Sequence, residues 1–200
     1  MKTRIGLGLV ALSIGLPILL SARPGYGLPG YSVNEVKTWM QGHPTLRADS
    51  REGLRVHRAD IPSQRYTFQA SVFPVGGLRS SGDNTALSIS NGRRNLSTVR
   101  REEFILVDYD EQVTTARLEE SLRTLYGPNT YADYRRAQPI YNYGYENSTA
   151  QGEVRLGNTY AYWVEITPNA NGVVTTGRLN VLLPEDVNRL QSYLQQQSTR

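Results

Sequence analysis

Thr159–Thr167 reads Thr-Tyr-Ala-Tyr-Trp-Val-Glu-Ile-Thr, and the fold turns on how that run is read. Turn signals bracket it: Gly157-Asn158 before, Pro168-Asn169-Ala170-Asn171-Gly172 after. Side chains alternate between the two faces of a strand. Tyr160, Tyr162, Val164 and Ile166 take one face, and Thr159, Ala161, Trp163 and Glu165 the other. β-Branched and aromatic residues fit a pleated, packed surface. Trp163 makes the second face partly apolar, so the pattern predicts a central strand.

Working outward, Gly152–Leu156 should pair with this strand as a hairpin. A strict two-residue Gly-Asn turn sets Arg155 opposite Tyr160 and sends Val154 and Leu156 to the Trp163 face. A loop one residue longer, with a bulge, sends them to the Tyr162 face. A one-residue slip flips every side chain, so only one register can hold. The bulged register is the one expected here. Val173–Leu183 then returns, with Leu179, Val181 and Leu183 on one face, and the three strands make an antiparallel meander.

The chain opens on a leader. Lys2 and Arg4 are its basic end, Ile5–Leu20 is apolar, and Leu20-Ser21-Ala22 offers small residues for cleavage. Residues 1–22 therefore read as a signal peptide, 23–31 as a flexible Gly/Pro-rich lead-in, and 32–200 as one domain. The predicted location is exported: periplasm, thylakoid lumen or extracellular. The chain has no cysteine, which removes disulfides, thiolate catalysis and thiolate metal sites together. Cleavage after Ala22 removes Lys2 and Arg4 and lowers the net charge from +4 to +2. That excess is too small to argue for nucleic acid, and a membrane enters only through the leader or a peripheral contact.

Further along, Ser32 with Glu35 has the capping-box spacing and predicts a helix stopped by Gly42-His43-Pro44. Leu54–Arg58 and Arg65–Phe73 alternate as strands around an Asp60–Ser63 turn, and Glu103–Tyr109 is a buried strand. Between them, 76–101 reads either as a hairpin turning at Asn91-Gly92 or as a long loop; Arg93-Arg94 and Arg100-Arg101 flank it. Thr115–Tyr126 is the clearest helix, with Leu118, Leu122 and Leu125 on one stripe and a Glu119–Arg123 pair. Gly127 and Pro128 close it, and a second short helix runs through Ala137. Pro184, with Glu185 and Asp186 in the first turn, opens a C-terminal helix. The fold class is α+β: an antiparallel sheet of about seven or eight strands with helices mainly on one face.

The sequence names no reaction. Asp108, Asp110 and Glu111 sit at a strand end without the spacing of a calcium loop. His43 adjoins a helix stop, and His57 faces the polar side of its strand. There is no Gly-x-Ser-x-Gly elbow, His-Glu-x-x-His, Walker loop or Gly-x-Gly-x-x-Gly, so no catalytic residue, metal or cofactor is assigned. The compositional oddity is tyrosine: seven of the 13 fall within 131–162. Tyrosine supplies apolar area with a polar tip, and arginine stacks on aromatic rings. Tyr141, Tyr143 and Tyr145, with Arg135 and Arg136, are the candidate ligand-binding residues, for a protein or glycan partner. The leading expectation is a non-catalytic binding or accessory protein of the cell envelope. The alternatives are a cofactor-free hydrolase using His57 or Asp108 and Asp110, and a subunit of a larger assembly.

The leader, the Trp39-Met40-Gln41-Gly42-His43-Pro44 helix stop and the run Leu118–Tyr134 resemble uncharacterised exported proteins of cyanobacteria. The resemblance spans much of the mature chain. It implies periplasm or thylakoid lumen as the compartment and carries no activity or site residue.

Overall fold

The computed structural model describes residues 27–76, 97–144 and 150–198. The leader, the Asn91-Gly92 turn with Arg93-Arg94, and Tyr145 lie outside them. The architecture is α+β. Seven strands form one antiparallel sheet: β1 (Arg55–Ile61), β2 (Gln64–Ser71), β3 (Arg101–Asp108), β4 (Gln138–Tyr143), β5 (Gln151–Leu156), β6 (Ala161–Pro168) and β7 (Val174–Leu182). Their order across the sheet is β1-β2-β3-β7-β6-β5-β4. The quoted run is thus an interior strand, flanked by β5 and β7.

The helices are α1 (Val33–Gly42), α2 (Thr115–Arg136) and α3 (Val187–Ser198). Ser32 and Glu35 close the expected capping box on α1. Gly127, at φ 79°, breaks α2 into two helical pieces, so the expected stop is found at this residue. Asn-Thr-Tyr-Ala occurs twice: residues 129–132 are helical within α2, and residues 158–161 lead into β6. Pro184–Asp186 forms a 3-10 turn before α3.

Two cores lie on opposite sides of the sheet. On the front face Val36 and Met40 of α1 and Leu118, Leu122 and Leu125 of α2 bury against Phe68, Phe104, Val164 and Leu179. Tyr162 is fully buried there and Ile166 half-buried, as a packed strand requires. On the back face the smaller core joins Val187, Leu190 and Leu194 of α3 to Val154, Ala161, Trp163 and Leu182.

Two local expectations are corrected. The β5–β6 register pairs Val154 with Trp163 and Leu156 with Ala161. The bulged register is therefore not the one adopted, and Val154 and Leu156 share the Trp163 face. The intervening loop is four residues, 157–160, and an even-numbered lengthening keeps the parity of the strict turn. Asp133 dictates this loop, accepting hydrogen bonds from the backbone N–H groups of Asn158 (3.1 Å), Thr159 (3.4 Å) and Tyr160 (3.3 Å). The second correction concerns Arg123, which pairs with Glu120 at 2.5 Å and not with Glu119. Glu119 instead faces Arg135 at 3.4 Å and accepts from the Tyr134 hydroxyl at 3.1 Å.

Candidate binding face

The back face of the sheet is where sequence-distant polar side chains converge. Strand register sets the order. His57 pairs with Thr67, Thr67 with Ile105, and Ile105 with Arg178. Arg178 pairs with Glu165, Glu165 with Gly152, and Gly152 with Tyr143. One row thus crosses all seven strands. α3 and its core cover the sheet to one side of this row, so Thr67, Ile105, Arg178 and Glu165 remain half-buried.

The row is tied together by charge and hydrogen bonds. Arg178 stands 3.2 Å from Glu103 and 3.6 Å from Glu165, and its guanidinium lies 5.4 Å from the Trp163 ring centre. The Trp163 indole N–H donates to the Tyr143 hydroxyl at 2.7 Å, and that hydroxyl in turn meets the Glu165 carboxylate. Burial first, then Glu165, pushes the Tyr143 hydroxyl well above its ordinary range. Tyr143 therefore stays a neutral donor to Glu165. Gly152 makes this possible, since a β-carbon there would overlap the Tyr143 hydroxyl. At the other end, His57 Nδ1 and the Thr67 hydroxyl are 2.8 Å apart. Beside the row, Asn180 is wholly buried between Glu103 and Trp163. Neither polar atom of its amide has a hydrogen-bond partner among the described residues.

The expected binding residues divide. Tyr141 and Tyr143 do share a face, the back face, with their rings 6.0 Å apart and half-buried against the α3 core. Arg135 and Arg136 are exposed at the end of α2, which packs on the front. Among the described residues the arginines lying over tyrosine rings are Arg155 over Tyr134 (5.0 Å) and Arg65 over Tyr109 (5.5 Å). Arg178, Glu165 and Glu103 were missed in the sequence. Their signal was present only as polar residues alternating with apolar ones in three separate strands.

The other ionisable candidates are occupied by structural duties. Asp108 accepts from the backbone N–H groups of Asp110 and Glu111 (3.0 and 2.9 Å), and from Arg117 (2.7 Å). The Glu111 amide and then Arg117 hold its carboxyl down at about 2. The following helix is capped by Thr114 and not by these acids. His43 is buried at the end of α1. Its Nδ1 accepts from the N–H groups of Thr45 (3.2 Å) and Leu46 (3.3 Å), so Nε2 carries the proton toward the Leu125 carbonyl at 3.1 Å. Desolvation lowers its pKa, keeping it neutral. Glu102 is wholly buried in the front core, and desolvation raises its pKa well above the usual range, against the pull of the Tyr126 hydroxyl.

No family model, no curated protein and no solved structure matches this chain.

Proposed function

We propose that this chain is a non-catalytic binding or accessory module of the cell envelope, and that its contact surface is the half of the back face left open by α3. The observation supporting this most directly is the row from His57 to Tyr143. Glu165 in the row and Glu103 beside it are both held by Arg178. Carboxylates and a guanidinium fixed against one another in this way make a preorganised surface for a polar ligand. His57 meets a hydroxyl at 2.8 Å, where the hydrolase reading called for a carboxylate.

A blocking substitution tests the surface. Thr67→Trp fills the half-buried middle of the open region, and Thr38→Trp on α1 is the control. The full chain should bind a defined envelope component, identified by capture and then reproduced with that component purified. Thr67→Trp should abolish binding at an unchanged melting temperature, and Thr38→Trp should leave it intact. Equal binding by both variants, or steady turnover of the captured component, would refute the reading.

One observation favours a second reading, a subunit of a larger assembly. Ile61, Tyr109 and Val173 are 51, 58 and 41 % exposed, and the register puts all three at one end of the sheet. Sedimentation velocity separates the readings: a stable complex that survives Thr67→Trp and is lost on Ile61→Asp supports the assembly.

A further inference from the structure

We infer that the β1–β2 side of the open back face binds an acidic polysaccharide, with Arg55, His57 and Arg65 meeting its carboxylates and Thr67 and Gln69 its hydroxyls. This rests on the binding-module reading above and names the ligand class of that surface.

Charge is the first argument. Among the described residues, the sheet carboxylates on the back face are Glu103 and Glu165, and both belong to Arg178. β1 and β2 turn Arg55, His57, Arg65, Thr67 and Gln69 to this face without an acid among them. Arg55 and Arg65 are exposed, and neither has a carboxylate partner among the described residues. Arg58, Arg100 and Arg117, by contrast, each close on an acid at 2.6–2.7 Å. Positive charge is thus left uncompensated on one side of one sheet face, and an anionic ligand complements it.

Spacing is the second. Arg55 pairs with Gln69 and His57 with Thr67, so charged groups and neutral hydrogen-bonding groups stand side by side across the two strands. Same-face neighbours along a strand are about 7 Å apart and those across strands about 5 Å. The result is a flat grid of donors, suited to a ligand that repeats both its anionic group and its hydroxyls. The Thr67 hydroxyl occupies His57 Nδ1, which leaves the other ring nitrogen of this exposed histidine for a ligand.

The chemistry of the rim selects a sugar over a lipid or an acidic peptide. Arg65 donates to the Tyr109 hydroxyl at 2.8 Å and lies over its ring, which fixes the ring yet leaves the residue 58 % exposed. A fixed, exposed aromatic edge matches the C–H face of a pyranose. A membrane surface is met instead by long basic chains interleaved with large apolar side chains, and a peptide partner by a dry apolar centre. The back-face side chains of β1 and β2, Arg55, His57, Arg65, Thr67 and Gln69, include no large apolar residue, and the exposed Ile61 stands beyond them at the strand end.

The test uses affinity electrophoresis and calorimetry on the full chain with alginate as the polyuronate. Dextran is the neutral control, and phosphatidylglycerol vesicles and poly-aspartate supply the competing anions. Alginate should bind, dextran should not, and binding should weaken as salt rises. Arg55→Gln/Arg65→Gln should weaken alginate binding at least about tenfold, whereas Arg123→Gln/Arg135→Gln, the same charge change on α2, should alter it less than about twofold. Arg55→Gln alone, at an exposed edge position, gives the direction if the double variant is unstable. Equal losses in both double variants, equal binding of vesicles or poly-aspartate, or no alginate binding would overturn the inference. Thr67→Trp separates the two levels. If it blocks the envelope component while alginate never binds, the surface stands and the sugar assignment falls. If it blocks neither, both fall.

Discussion

Gly152 and Tyr143 show how one residue governs its neighbour across a strand pair. The Tyr143 ring lies over Gly152 to reach the indole of Trp163 and the carboxylate of Glu165. Gly152→Ala forces the hydroxyl away, and a crowded insertion of this kind costs about 1–3 kcal/mol. The urea midpoint should fall, and the Trp163 emission spectrum should shift as its N–H loses its acceptor. Tyr143→Phe removes the hydroxyl alone; leaving the buried indole N–H unpaired should cost about 1–3 kcal/mol. An unchanged midpoint in Tyr143→Phe would show that this hydroxyl is dispensable. The alternation of Tyr141 and Tyr143 was readable in the sequence, since spacing of two puts both on one face. What the Tyr143 hydroxyl does was not, because its partners lie 20 and 22 residues away and arrive only through pairing.

At the scale of elements, turns and caps were legible because their chemistry is local. The Ser32–Glu35 box, the Gly127 break and the β1–β2 turn each follow from side chains within four residues. The β5–β6 register was not legible, since Asp133 on α2 sets the loop from 25 residues upstream. That carboxylate also accepts from the Tyr162 hydroxyl at 2.8 Å, so it joins α2 to both the loop and the body of β6. Asp133→Ala should destabilise the protein by about 3 kcal/mol, the upper range for hydrogen bonds to a charged acceptor. Amide exchange at residues 158–160 should accelerate before exchange in β6 does. If the three amides keep their protection, the loop holds its shape by other means.

Across the whole molecule, three buried ionisable groups shape the response to pH. His43 has a lowered pKa when folded, so below its ordinary value of 6.5 the unfolded chain binds more protons and stability falls with pH. Asp108 adds to the acid limb: its contribution is complete above 3.8 and is lost as pH drops through about 2. Glu102 acts in the opposite sense. Its folded pKa is raised, so above the ordinary 4.5 the unfolded chain releases a proton that the native state keeps, and stability falls as pH rises. Glu102→Gln should therefore raise the melting temperature more at pH 8 than at pH 5, and equal effects at both would place the carboxyl in a solvated setting. His43→Gln should flatten the decline below pH 6.5. The architecture was largely legible because hydrophobic alternation reports burial strand by strand. The sidedness was less so, as a single Trp163 announced a core that needed α3 to complete it. That asymmetry orders how the molecule comes apart. α3 is clipped down by Val187, Leu190 and Leu194 and by the Arg100–Asp186 pair at 2.7 Å, whereas the sheet's other side is locked by two helices. α3 can therefore peel away as a flap while the front remains shut, and gentle proteolysis should trim this helix long before it cuts a strand.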